Sequence, residues 1–121
     1  MRAALAGVAM LVVLSPAAAQ STKLTPKDIQ ANFFTGTPFV ASTTAGLKFK
    51  MTYTPDGKAL RESTGKGGPA AEGTWKLSKD GFCTAWSGGK PSCYVLVNTE
   101  PNRYAVVRGA TTVAVWSKQT P

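Results

Sequence analysis

The chain has 121 residues, with 14 lysines and arginines against six aspartates and glutamates, a net charge of +8 at pH 7, two cysteines and no histidine. Without histidine there is neither a Ser-His-Asp triad nor a histidine-based pH switch, and two cysteines alone leave a zinc tetrahedron half filled. The length suits one small domain with a modest core, and the sequence calls for no metal and no cofactor.

Residues 1–19 read as a secretory signal peptide. Arg2 opens a short basic start, Ala3 to Leu14 is apolar, and Ala17, Ala18 and Ala19 supply small residues for cleavage after Ala19. The apolar run is too short for a permanent transmembrane anchor and Pro16 interrupts it. The expectation is therefore a periplasmic or secreted domain over residues 20–121, its net charge one lower once Arg2 is removed. No cysteine stands beside the cleavage point to accept a lipid.

One helix is signalled near the start of that domain. Thr25 is placed to cap it, Pro26 suits the first helical position, and Asp28 lies three residues beyond the cap. Ile29, Phe33 and Phe34 follow as an apolar stripe that stops before Thr35-Gly36, which predicts a helix that plugs or braces one end of what comes next.

After a short strand predicted over Thr37 to Ala41, the chain alternates with period two. Leu47, Phe49, Met51 and Tyr53 point one way, and Lys48, Lys50, Thr52 and Thr54 the other. Pro55-Asp56-Gly57 makes a tight turn into a partner strand from Lys58 to Ser63. Gly65 to Pro69 reads as a glycine-rich loop within the domain; it lacks the strand, spacing and helix of a phosphate loop. Further strands are predicted over Gly73 to Leu77, Phe82 to Trp86, Ser92 to Val97, Arg103 to Arg108 and Thr111 to Ser117, each separated by turn residues such as Lys79-Asp80-Gly81 and Gly88-Gly89. Such spacing predicts an all-β meander of about eight antiparallel strands. Exposed edges are an aggregation hazard, so the meander is expected to close as a small barrel or fold over as a sandwich.

An even cysteine count in an exported chain favours a Cys83–Cys93 disulfide over a redox-active dithiol or a metal site. Trp75, Trp86 and Trp116, with Phe49, Tyr53, Phe82, Tyr94 and Tyr104, either fill the core or line a cavity. Lys48, Lys50, Lys58 and Arg61, with Lys66, form either a solvated wall or a basic face for an anionic partner. Lys48, Lys50, Lys58, Arg61, Trp75, Trp86 and Trp116 are thus the candidate ligand contacts. Nucleic acid is not expected, because export and the absence of a binding-module motif speak against it.

Catalysis has few side chains to draw on. Asp28, Asp56 and Asp80 occupy cap or turn positions, which leaves Glu62 and Glu72 as the one pair that could serve a glycosidase-like hydrolysis. The reading is a non-catalytic envelope protein that binds an anionic envelope component or a small amphiphile. A small protease inhibitor and a carboxylate-dependent hydrolase are the two alternatives.

The stretch Gly73-Thr74-Trp75, the Asp80-Gly81 turn, Cys83-Thr84-Ala85-Trp86 and Cys93-Tyr94 resemble a family of small secreted bacterial β proteins of uncharacterised activity. The opening Leu24 to Ile29 and the ending Val113 to Lys118 fit the same pattern. Gly73-x-Trp75 is also similar to the Gly-x-Trp of lipocalin-like barrels and of small periplasmic protease inhibitors. The resemblance implies a disulfide-bonded β fold and carries no activity with it.

Overall fold

The computed structural model describes residues 21–64 and 70–118. The signal peptide expected at 1–19 and the glycine-rich loop at 65–69, including Lys66, lie outside the described residues. The elements in order are β1 (Thr22–Lys23), α1 (Pro26–Phe33), β2 (Phe39–Thr43), β3 (Lys48–Tyr53), β4 (Lys58–Ser63), β5 (Ala71–Leu77), β6 (Phe82–Trp86), β7 (Ser92–Glu100), β8 (Arg103–Arg108) and β9 (Thr111–Ser117).

Each strand from β2 to β9 pairs antiparallel with the next, and β9 returns to β2 with Val40 opposite Ser117 and Ala41 opposite Trp116. The meander is therefore a closed eight-stranded barrel and not a sandwich, and closure leaves no free edge among those strands. The two-residue β1 is additional. It lies on β7 at Val97 and Asn98, beyond the point where β6 has finished pairing at Tyr94.

Alternation sets the interior. Phe49, Met51 and Tyr53 of β3 are buried, while Lys48 and Lys50 between them face out. Leu47, expected to continue the inward set, lies ahead of β3 and is 37% exposed. The Thr43 hydroxyl accepts from the Leu47 amide at 3.1 Å and Gly46 takes φ 87°, so Leu47 belongs to a tight loop at the barrel rim where nothing can cover it. The first barrel strand is also shifted from its expected place, to Phe39–Thr43, and β5 and β7 are longer than their sequence signals.

One end of the barrel is closed by α1. The Thr25 hydroxyl caps it by accepting from the Asp28 amide at 3.1 Å. Ile29, Phe33 and Phe34 are buried almost completely. Phe34 stacks on Tyr53 with ring centres 4.6 Å apart and meets Trp75 at 4.4 Å, while Phe33 packs edge-on against Phe39 and Tyr104 at 5.0 and 4.9 Å. Offset and edge-on geometries of this kind add about 0.5–1.5 kcal/mol per pair beyond the area buried. The Trp75 indole donates to the Thr54 carbonyl at 2.8 Å, tying the Pro55-Asp56-Gly57 turn to the same plug.

Cys83 and Cys93 are directly opposed on β6 and β7 and are bonded. Both sit on the outward positions, since their strand neighbours Phe82 and Thr84 are buried. Gly73 lies where β5 approaches β6 closely enough that a Cβ would overlap the Ala85 carbonyl.

Candidate functional site

Among the described residues nothing closes the end of the barrel opposite α1. Between its walls is a cavity of about 230 Å³, lined among others by Phe49, Met51, Arg61, Trp86, Tyr94 and Trp116. Among the described residues Thr43, Tyr53 and Tyr94 add hydroxyl groups, and Arg61 a charge, to an otherwise apolar lining. Tyr53 and Thr84, buried on β3 and β6, share a hydrogen bond of 3.1 Å between their hydroxyl oxygens. Burial pushes the Tyr53 phenol well above its ordinary range, so it remains a neutral hydrogen-bonding group.

Among the described residues Arg61 is the one charged side chain lining this cavity. It gets there through register. The three-residue loop Pro55-Asp56-Gly57 sets Tyr53 opposite Ala59, and because Tyr53 points inward, so must Ala59 and, two residues on, Arg61. On the neighbouring strand, Arg61 is opposite Ala71, a side chain too short to block it. The guanidinium carbon lies 5.0 Å from the Phe49 ring centre and 4.9 Å from that of Trp86, two strands away.

Two aromatic faces hold the guanidinium, yet they do not satisfy it. Its Nε is buried and has no hydrogen-bond partner among the described residues. Among the described residues the carboxylates that form ion pairs do so elsewhere: Glu62 with Lys50 at 3.2 Å, Glu100 with Arg103 and Asp80 with Lys23. A buried N–H without a partner typically costs about 1–3 kcal/mol, which aromatic contact offsets only in part.

The residues expected from sequence to touch a ligand are thus separated. Lys48 and Lys50 face out from β3, and Lys50 is engaged by Glu62. Lys58 is exposed at the plugged end, beside the Pro55-Asp56-Gly57 turn. Arg61, grouped with these lysines as part of one basic face, instead turns into the barrel, because the hairpin register sets it opposite Met51 and gives Leu60 the outward position. Trp75 belongs to the plug and Trp116 to the centre of the core. Trp86 and, from the core side, Trp116 are the two expected contacts that line the cavity with Arg61. Phe49 and Tyr94, which complete it, were not among the expected contacts, although the alternation of β3 already pointed Phe49 inward.

A larger trough of about 530 Å³ runs along the outside of β2 and β9, past Val40, Ser42, Val115 and Ser117, with Lys48 and Arg103 on its border. It is a hollow of the outer wall, without a converging set of side chains. Glu62 and Glu72 occupy outward positions on adjacent strands, on the convex surface. Among the described residues no cluster of three or more His, Cys, Asp or Glu could hold a metal ion. No family model, curated protein or solved structure matches the chain.

Proposed function

We propose that this chain is an exported, non-catalytic binding protein of the cell envelope, which holds a small amphiphile with an anionic end in the open mouth of a lipocalin-like barrel. The observation that carries the proposal is Arg61: a cation lying over two aromatic rings at a cavity mouth, with a buried Nε that finds no partner among the described residues. Natural proteins pair buried charges unless a ligand completes them, and pockets that take small molecules are mostly apolar with a few fixed polar groups. The disulfide on the outer wall is compatible with an oxidising compartment, in keeping with the signal peptide read at residues 1–19.

The test is native mass spectrometry of the protein recovered from its own envelope, compared with Arg61→Met. A retained small molecule, present in the native protein and absent from the variant, is the expected result. A native protein that carries nothing and binds no small molecule from an envelope extract would refute the proposal.

A further inference from the structure

We infer that the occupant of the mouth is a small monocarboxylate, with an apolar part no larger than a single ring and a short arm, rather than a long-chain lipid. This rests on the binding reading above and narrows it to a chemical class on three grounds: volume, charge and the shape of the anchor.

Volume sets the first limit. An apolar protein cavity of about 150 Å³ takes a benzene ring, and drug-sized ligands occupy about 300–1,000 Å³. At about 230 Å³ the mouth lies between these, with room for a ring bearing a short arm or an aliphatic acid of roughly eight carbons. The plug formed by Ile29, Phe33 and Phe34 closes the far end, so a longer chain cannot pass through.

Charge sets the second. Among the described residues Arg61 is the only ionised group lining the cavity, and no lysine or second arginine joins it there. One uncompensated cation in an apolar site matches one negative charge. A phosphate monoester, which carries about −1.5 to −2 at pH 7, would leave part of its charge desolvated and unpaired.

The anchor's shape favours carboxylate within the monoanions. A guanidinium presents its N–H groups in a planar fork that a carboxylate meets with two parallel hydrogen bonds. Phe49 and Trp86 hold the guanidinium carbon over their rings, and rings offer its N–H groups no oxygen acceptor, which leaves the fork for a ligand to meet. The apolar part of the ligand would then lie against Met51, Tyr94 and Trp116.

The experiment titrates protein produced from the full chain with phenylacetate, octanoate, hexadecanoate, phenyl phosphate, 2-phenylethanol and octanol, read by calorimetry and tryptophan fluorescence. Phenylacetate or octanoate is expected to bind at least tenfold more tightly than its alcohol, and more tightly than hexadecanoate or phenyl phosphate. Arg61→Met should remove that preference for acid over alcohol, and Arg61→Lys should restore part of it; thermal melts of both variants check that they are folded.

Equal affinity for acid and alcohol overturns the carboxylate anchor. Tighter binding of hexadecanoate than of octanoate overturns the size limit, yet leaves the binding proposal standing if that affinity depends on Arg61. If none of the probes binds while the envelope-derived protein carries a larger molecule lost in Arg61→Met, the inference falls and the function stands. If neither observation is made, both fall.

Discussion

The Arg61 guanidinium carbon stands 4.9 Å from the centre of the Trp86 ring, although β5 separates their strands. Ala71, opposite Arg61, and Gly73, opposite Trp86, are the two short positions of β5 that leave the interior free for this reach. Such an arrangement is costly for a protein that gains only folding from it. We therefore expect Arg61→Met, which keeps the apolar stem and removes the charge, to leave stability unchanged or raise it by about 1 kcal/mol, because relief of a buried unsatisfied donor outweighs two aromatic contacts. Urea denaturation checks this. A loss of more than about 2 kcal/mol would mark Arg61 as a structural residue.

Gly73 is expected to tolerate no side chain. The atom that a Cβ would meet is the Ala85 carbonyl oxygen of the paired strand, which cannot move without breaking the β5–β6 ladder. Gly73→Ala should cost on the order of 3 kcal/mol or prevent folding, measured by denaturation or by recovery of soluble protein. A melting temperature equal to that of the native chain would show that the two strands can separate locally.

Alkali should weaken the barrel through Tyr53. Its phenol is raised above the ordinary value chiefly by burial, whereas in the unfolded chain it ionises near pH 10. The contribution is thus complete below about pH 10. Above that it declines by about 1.4 kcal/mol per pH unit, as only the unfolded state gives up its proton, until the folded phenol also ionises. Tyr53→Phe should flatten this slope in stability measured from pH 9 to 11. At pH 7 the same variant should lose about 1–2 kcal/mol, because it strands the Thr84 hydroxyl, which is 2% exposed. Combining it with Thr84→Val should recover most of that loss.

The disulfide acts on the unfolded chain and not on the mouth. Closing the loop between Cys83 and Cys93 contributes somewhat under ~3 kcal/mol in the chain-entropy treatment. Replacing both cysteines by alanine should lower the denaturation midpoint accordingly while leaving ligand affinity unchanged at temperatures where both proteins are folded. A change in affinity would mean that the bond, though on the outer wall, shapes the interior.

Local chemistry made much of the architecture legible. The Thr25 cap, the Pro55-Asp56-Gly57 turn, the alternation of β3 and the paired cysteines each act within a few residues, and each appears where the sequence signals it. Barrel against sandwich was open because it depends on Val40 meeting Ser117, a pairing that no nearby residue specifies. Arg61 parts from the basic face with which the sequence groups it for a related reason: only the register imposed by the three-residue loop turns Ala59 and Arg61 inward. Phe49 lines the mouth through the alternation of β3, and Tyr94 through its place opposite Phe82 on β7.

The first and last strands of the barrel depend on one another: β2 needs β9, and β1 needs the far half of β7. Any apparatus that delivers this chain from its amino end must release nearly all of it before the ladder can close. Until then the hydrogen bonds of β2 have no taker on one side, so a partly emerged chain cannot hold the finished ring.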